Sequence, residues 1–127
     1  MPQSGGKAVE MPHASKDELP VATEMPGFES RQAEWGGFTA AFETIAGGLD
    51  ATEFFSSLPG GMCQSPHWGY VVKGKVRVKY ADREEVISAG QAYYMAPGHI
   101  PVVEEDSAIV EFSPLGEYQQ TLSTLEG

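Results

Sequence analysis

The chain has 127 residues, a formal net charge of −10 and a sequence pI of about 4.6. A negative field of this size repels phosphate groups, so nucleic acid and anionic membranes are not expected as partners. The single cysteine excludes an internal disulfide, and no run of about 20 apolar residues could span a membrane, so we expect a soluble cytoplasmic protein.

The first 24 residues are rich in proline, serine and charged groups and contain few large apolar side chains. Such a segment buries too little surface to offset the entropy that it loses on ordering. We predict that residues 1–24 form an N-terminal arm, either flexible or strand-swapped onto a partner subunit. Ordered structure is then expected to begin near Gly27, and a single domain spans residues 25–127.

A hairpin is predicted after the arm. Residues 31–35 lead into a Gly36-Gly37 turn signal, and Phe38, Ala40 and Phe42 then recur with the period of two that is typical of a strand. The period is imperfect, and a helix over residues 39–46 is the alternative. Farther along, residues 51–58 are predicted to form one short helical turn with Asp50 as its N-cap.

Strand signals then follow one another closely. The predicted strands are residues 68–72, 76–80, 84–87, 93–95, 100–103 and 108–112. Val76, Val78 and Tyr80 alternate with three basic residues, which indicates a strand with one buried and one charged face. The tail, residues 118–125, is amphipathic enough for one or two helical turns or a closing strand. Short strands separated by glycine and proline turns indicate an all-β sandwich or small barrel.

Residues with metal-binding side chains fall in two of these strand-and-turn segments. Cys63 and His67 precede the predicted strand of residues 68–72, which leads to Gly74, and His99 follows Pro97-Gly98. A thiol and two imidazoles on paired strands would make a three-ligand metal site. Taken singly, each also has a structural interpretation: Cys63 as a small buried residue, His67 as a hydrogen-bonded barrel histidine and His99 as a solvated loop residue.

The same segments resemble the two sequence motifs of the cupin superfamily. Those motifs read G-x5-H-x-H-x(3,4)-E-x6-G and G-x5-P-x-G-x2-H, and the resemblance covers residues 61–112. Gly74, Gly90 and Gly98 stand where the motifs have glycines. The resemblance implies an all-β fold, a cupin-type β-barrel built as a double-sheet jelly roll.

The ligand positions of the motifs are occupied differently here. The three histidine positions and the glutamate position fall on Gly61, Cys63, Pro101 and His67, and Ala96 takes the proline position. His99 stands two residues before Pro101, and residues two apart on a strand share a face. We therefore expect His99 to reach the same cavity as Cys63 and His67.

A cysteine and two histidines suit a divalent zinc ion with an open fourth position. Iron and nickel are the alternatives, although non-haem iron usually takes two histidines and a carboxylate. We expect this metal to lie in a barrel that receives a small organic molecule.

Three functions follow from this site. In the first, the protein is a metal-dependent enzyme of isomerase, hydrolase or dioxygenase type, with Tyr70 or Glu104 as acid or base. In the second, it is a small-ligand-binding or regulatory cupin without turnover. In the third, Cys63 acts without a metal, as a nucleophile or redox thiol with His67 as its base. Because exposed sheet edges invite pairing, we also expect a homodimer.

Overall fold

The computed structural model describes residues 13–126, apart from the side chains of residues 118, 119, 122, 123, 125 and 126. Two short 3-10 turns lie at Lys16–Glu18 and Pro59–Gly61. The strands are β1 (Val21–Met25), β2 (Phe28–Trp35), β3 (Phe38–Ile45), β4 (His67–Lys73), β5 (Lys75–Lys79), β6 (Glu84–Ser88), β7 (Ala92–Met95), β8 (Ile100–Val103) and β9 (Ser107–Pro114). One helix, α1 (Leu115–Glu126), ends the described chain.

The strands form two antiparallel sheets. The larger sheet has the order β1-β2-β3-β9-β4-β7, and the smaller has the order β6-β5-β8. The main apolar cluster takes residues from both sheets: Ile45, Val71, Met95 and Ile109 from the larger, and Val76, Val78, Ile87 and Val103 from the smaller. Two sheets with one shared core make the double-sheet jelly roll that we expected, so the predicted fold class is confirmed.

The predicted hairpin is present as β2 and β3, and the helix considered for residues 39–46 does not form. Gly36 and Gly37 both have positive φ, at 57° and 83°, as a two-residue hairpin turn with right-handed strand twist requires. The strands pair without a bulge from Phe28 opposite Ile45 to Trp35 opposite Phe38. The period of two in residues 38–42 therefore predicts the structure of this segment correctly, and the helical alternative is wrong.

The N-terminal prediction requires a correction. β1 includes residues 21–24 of the predicted arm and pairs with β2 of the same chain, with Met25 opposite Phe28 and Glu24 opposite Glu29. Ordered structure therefore begins before Gly27, because the edge of the sheet supplies hydrogen bonds that the composition of this segment does not reveal. Residues 1–12, which hold the rest of the predicted arm, lie outside the described residues.

The two remaining predictions concern the turn after β3 and the tail. Residues 51–58 form hydrogen-bonded turns rather than a regular helix, and the Asp50 carboxylate accepts the backbone N–H of Thr52 at 2.9 Å. Asp50 therefore acts as the expected cap. The tail takes the helical alternative, as α1.

Within residues 13–126, no helix is both long and apolar enough to cross a membrane.

Candidate metal centre

Cys63 and His99 face each other across an isolated antiparallel bridge. The N–H of Cys63 donates to the carbonyl of His99 at 2.9 Å, and the N–H of His99 donates to the carbonyl of Cys63 at 3.2 Å. Residues paired in this way project their side chains to the same side of the sheet. The bridge thus brings together two side chains that are 36 positions apart in the sequence.

His67 begins β4 and completes the group. Its Nε2 lies 3.6 Å from the Sγ of Cys63, and its ring centroid lies 5.0 Å from that of His99. One ligand atom from each of the three residues lies within 4.8 Å of the others, and all three side chains are buried. The three predicted ligands are therefore brought to one point.

Hydrogen bonds hold both imidazoles in a ligating orientation. The Nδ1 of His99 lies 2.7 Å from the carbonyl oxygen of Ala96, which can only accept, so this nitrogen carries the proton and Nε2 keeps its lone pair. The Nδ1 of His67 lies 2.7 Å from Ser113 Oγ and 3.6 Å from a carboxyl oxygen of Glu111. Both partners can accept, which leaves His67 Nε2 facing the thiol. Such outer partners commonly orient metal-binding histidines.

Burial keeps the three groups neutral when no cation is present. Desolvation lowers the pKa of His67 and of His99 to about 4 and raises the pKa of the Cys63 thiol to about 11. The imidazoles therefore offer lone pairs at neutral pH, whereas the thiolate needs a nearby positive charge. The donor set and its outer hydrogen bonds fit a divalent ion of borderline softness.

Two buried carboxyl groups beside these residues were not predicted. Glu43 on β3 and Glu111 on β9 are both almost fully buried. Desolvation raises the pKa of each, and the negative charge of Glu111 raises that of Glu43 further. Glu111 also accepts a hydrogen bond of 2.6 Å from the hydroxyl of Tyr93, and the pKa of that phenol is raised mainly by burial.

Alternation along the strands could have revealed both carboxyl groups. Glu111 shares a strand face with Ile109 and Ser113, and Glu43 shares one with Ala41 and Ile45. A carboxyl group that is in phase with buried residues points into the core. The sequence therefore contained the signal, but it lay outside the cupin motifs.

The three predicted ligands and both carboxyl groups line one cavity of about 340 Å³. Its wall is otherwise mostly apolar and includes Phe28, Ile45, Leu49, Phe54, Phe55 and Ile109. Pro101, at the position of the last histidine in the motif, also lines this cavity, as does His99. The shared face expected for residues 99 and 101 is therefore present.

The two residues predicted as acid or base lie elsewhere. Tyr70 is on β4, three residues after the inward-facing His67, so its side chain projects from the opposite face and is 46% exposed. Glu104 follows β8 on the surface, where its carboxylate pairs with Arg77 at 3.3 Å. Neither belongs to the cavity wall, because strand alternation places the one outside the sheet and a surface ion pair holds the other.

Comparison with known proteins identifies the fold. No protein-family model and no curated protein matches the sequence. Among solved structures, KdgF from Halomonas sp. is 21% identical, with a TM-score of 0.56 over 79% of this chain and 92% of its own. An RmlC-like cupin from Shewanella frigidimarina is 15% identical, with a TM-score of 0.60 over 84% and 93%.

Ectoine synthase from P. lautus is also similar, at 13% identity and a TM-score of 0.62 over 82% of this chain and 78% of its own. At these identities the likeness concerns the fold alone. The protein has the cupin fold, and the resemblance seen in its glycines and strand spacing is confirmed at that level.

Proposed function

We propose that this protein is a metal-binding cupin in which Cys63, His67 and His99 hold a divalent ion beside a cavity for a small organic molecule. One observation carries the proposal: three ligand atoms of the types that bind metals lie within 4.8 Å of one another in a buried site. The hydrogen bonds to Ala96 and Ser113 support it, since they present Nε2 of both histidines.

Zinc is the ion that the donor set favours. A thiolate and two neutral imidazoles are borderline-soft ligands, and zinc accepts them with a fourth position open. Iron is disfavoured because no carboxylate joins the three clustered ligands within the described residues, and nickel is the remaining alternative.

The site would support a reaction of the isomerase or hydrolase type more readily than an oxygenase reaction. When bound, a zinc ion would supply a Lewis acid to a substrate group. The chain itself would orient His67 through Ser113 and Glu111, and its apolar wall would exclude water from the substrate. Glu43 replaces Tyr70 and Glu104 as the candidate acid or base, because it lines the cavity. Ectoine synthase, which is among the structural neighbours, is named as an enzyme.

A binding or regulatory function without turnover is the second candidate. The observation that favours it is the loss of two ligand positions of the cupin motifs, since His67 stands at the glutamate position and Pro101 at that of the last histidine. The third candidate, a nucleophilic Cys63, is disfavoured. Its pKa is raised to about 11 by burial, so the thiol carries almost no reactive thiolate at neutral pH.

Elemental analysis of the protein purified without added metal tests the proposal. We expect about one zinc per chain in the wild type and a loss of most of it in Cys63→Ser, His67→Ala and His99→Ala. His13→Ala is the matched control, because His13 is exposed and far along the chain from the cluster. Full metal content in the three cluster variants would show that the ligand set is wrong.

Turnover separates the two leading candidates. Product formation from a bound small molecule that stops when a chelator removes the metal would favour the enzyme. Tight binding of the same molecule without any product would favour the binding protein.

We further propose that the protein is a cytoplasmic homodimer whose partner surface is the outer face of the larger sheet. Phe38, Trp68, Tyr94 and Phe112 are each at least 40% exposed there, and Trp68 packs against Phe38 and Tyr94. Clustered apolar surface of this kind commonly marks an interface. Light scattering should give a dimer mass for wild type and for the control Val86→Glu on the smaller sheet, but a monomer for Trp68→Glu. A monomeric wild type would contradict this.

A further inference from the structure

Glu43 presents an incompletely satisfied carboxyl group to the cavity. Its Oε2 accepts a long hydrogen bond of 3.4 Å from Ser30 Oγ on the neighbouring strand. Within the described residues, Oε1 of Glu43 has no hydrogen-bond donor. A carboxyl group that is 8% exposed and lines a cavity while keeping an unused acceptor is poised for a donor from a ligand.

Glu111 is a second carboxyl group in the cavity wall, but both of its oxygens already face partners within the protein. One of its oxygens accepts from Tyr93 at 2.6 Å, and the other lies 3.6 Å from His67 Nδ1. In the β3–β9 register, Ala41 pairs with Glu111 and Glu43 pairs with Ile109, so the two glutamates are diagonal neighbours. Diagonal neighbours are about 7–8 Å apart at the backbone, so a small cation beside Glu43 would also lie near the carboxyl group of Glu111.

Apart from the divalent ion proposed above, the rest of the cavity supplies no positive charge. No lysine or arginine belongs to its wall among the described residues, and most of the wall is apolar. The net charge of −10 also raises the local concentration of cations around the protein. Burial raises the pKa of Glu43, and a cation beside it would restore the ionised form.

We propose that the small molecule bound in this cavity is an amine with an apolar body, whose protonated nitrogen donates to Glu43. The inference rests on the proposed small-molecule function of the cavity and names the chemical class of the ligand. Its apolar part would lie against Phe28, Phe54 and Phe55, and Glu43 would set the preference for a cation over a neutral group.

Calorimetric titration with two matched probes tests the assignment. 2-Phenylethylamine and 2-phenylethanol have the same apolar part and differ in the cationic group. On wild-type protein at pH 7.5, with metal content measured in the same samples, we expect the amine to bind at least tenfold more tightly. Glu43→Gln should weaken the amine at least tenfold and change the alcohol less than twofold. Glu24→Gln, on the exposed side of β1, should match wild type.

Three results would overturn the assignment: equal binding of the two probes, no binding of either at millimolar concentration, or an amine preference that survives in Glu43→Gln. The last result would place the amine on another group of the cavity, either the metal or Glu111. The wild-type comparison does not depend on the variant folding. Metal content separates the two proposals: an amine preference in protein that holds no metal supports this inference alone, whereas bound metal without the preference supports only the metal site.

Discussion

Tyr93 reaches Glu111 across Gly69. The two residues lie on β7 and β9, and β4 runs between those strands with Gly69 paired to both. The hydroxyl donates to the carboxyl group at 2.6 Å, and a β-carbon at position 69 would lie 2.5 Å from that hydroxyl. Because Gly69 has no side chain, the Tyr93 hydroxyl can pass over β4 and bond to Glu111, the carboxyl group that lies beside His67.

Tyr93→Phe should destabilise the protein by about 1–3 kcal/mol, because it leaves a buried carboxyl oxygen of Glu111 without its donor. Urea unfolding at pH 7 measures the change. Tyr94→Phe is the matched control, since Tyr94 is its half-exposed neighbour, and we expect an effect of less than about 0.5 kcal/mol. Equal stabilities for the two variants would mean that the Tyr93–Glu111 bond contributes nothing.

Gly69→Ala should cost about 3 kcal/mol or more, because the new methyl group would meet both the Tyr93 ring and the carbonyl oxygen of Val110 at 2.5 Å. The backbone oxygen cannot move without shifting β9. Gly116→Ala in α1 is the control, since a β-carbon there meets nothing within 4 Å and alanine favours a helix. Thermal or urea unfolding that finds Gly69→Ala as stable as wild type would contradict the close approach.

Alkylation of the single cysteine should be slow in the folded protein. Burial raises the pKa of Cys63 from 9.0 to about 11, which reduces the thiolate at pH 7.5 by roughly a hundredfold before restricted access is counted. We expect iodoacetamide to modify metal-free folded protein at least a hundredfold more slowly than the same protein in urea. A rate close to that of the unfolded chain would revive Cys63 as a nucleophile.

In the metal-free protein, the raised pKa of Glu43 should make the free energy of unfolding depend on pH. The pKa of Glu43 is raised in the folded state, so above pH 4.5 the folded protein binds more protons than the unfolded chain and stability falls as the pH rises. Glu43→Gln removes this dependence and preserves the shape of the neutral side chain. The free energy of unfolding of the wild type, relative to that of Glu43→Gln, should therefore fall between pH 5 and pH 8.

Urea titrations of both proteins at several pH values measure that difference. The contributions of His67 and His99 have the opposite sign, because their lowered pKa values make stability rise with pH between about 4 and 6.5. They are common to both proteins and cancel in the comparison. A constant difference across the range would mean that Glu43 titrates normally.

Most of the strand pattern could be predicted because each strand has one buried face. Val76 and Val78 alternate with charged residues, and Gly36-Gly37 supplies the positive φ values of a hairpin turn, so both elements follow from local chemistry. β1 could not be predicted in the same way. Its two half-buried residues, Thr23 and Met25, acquire an environment only when β2 lies beside them.

The sequence by itself determined the strands other than β1, the hairpin turn and three candidate ligands, because alternation and residue chemistry are local properties. Only the tertiary structure decided which side chains share a cavity. The bridge between Cys63 and His99 joined two of the ligands, strand phase turned Tyr70 outward, and the register of β3 against β9 brought Glu43 near Glu111. Those outcomes depend on pairing between distant segments, and the spacing within either segment does not encode that pairing.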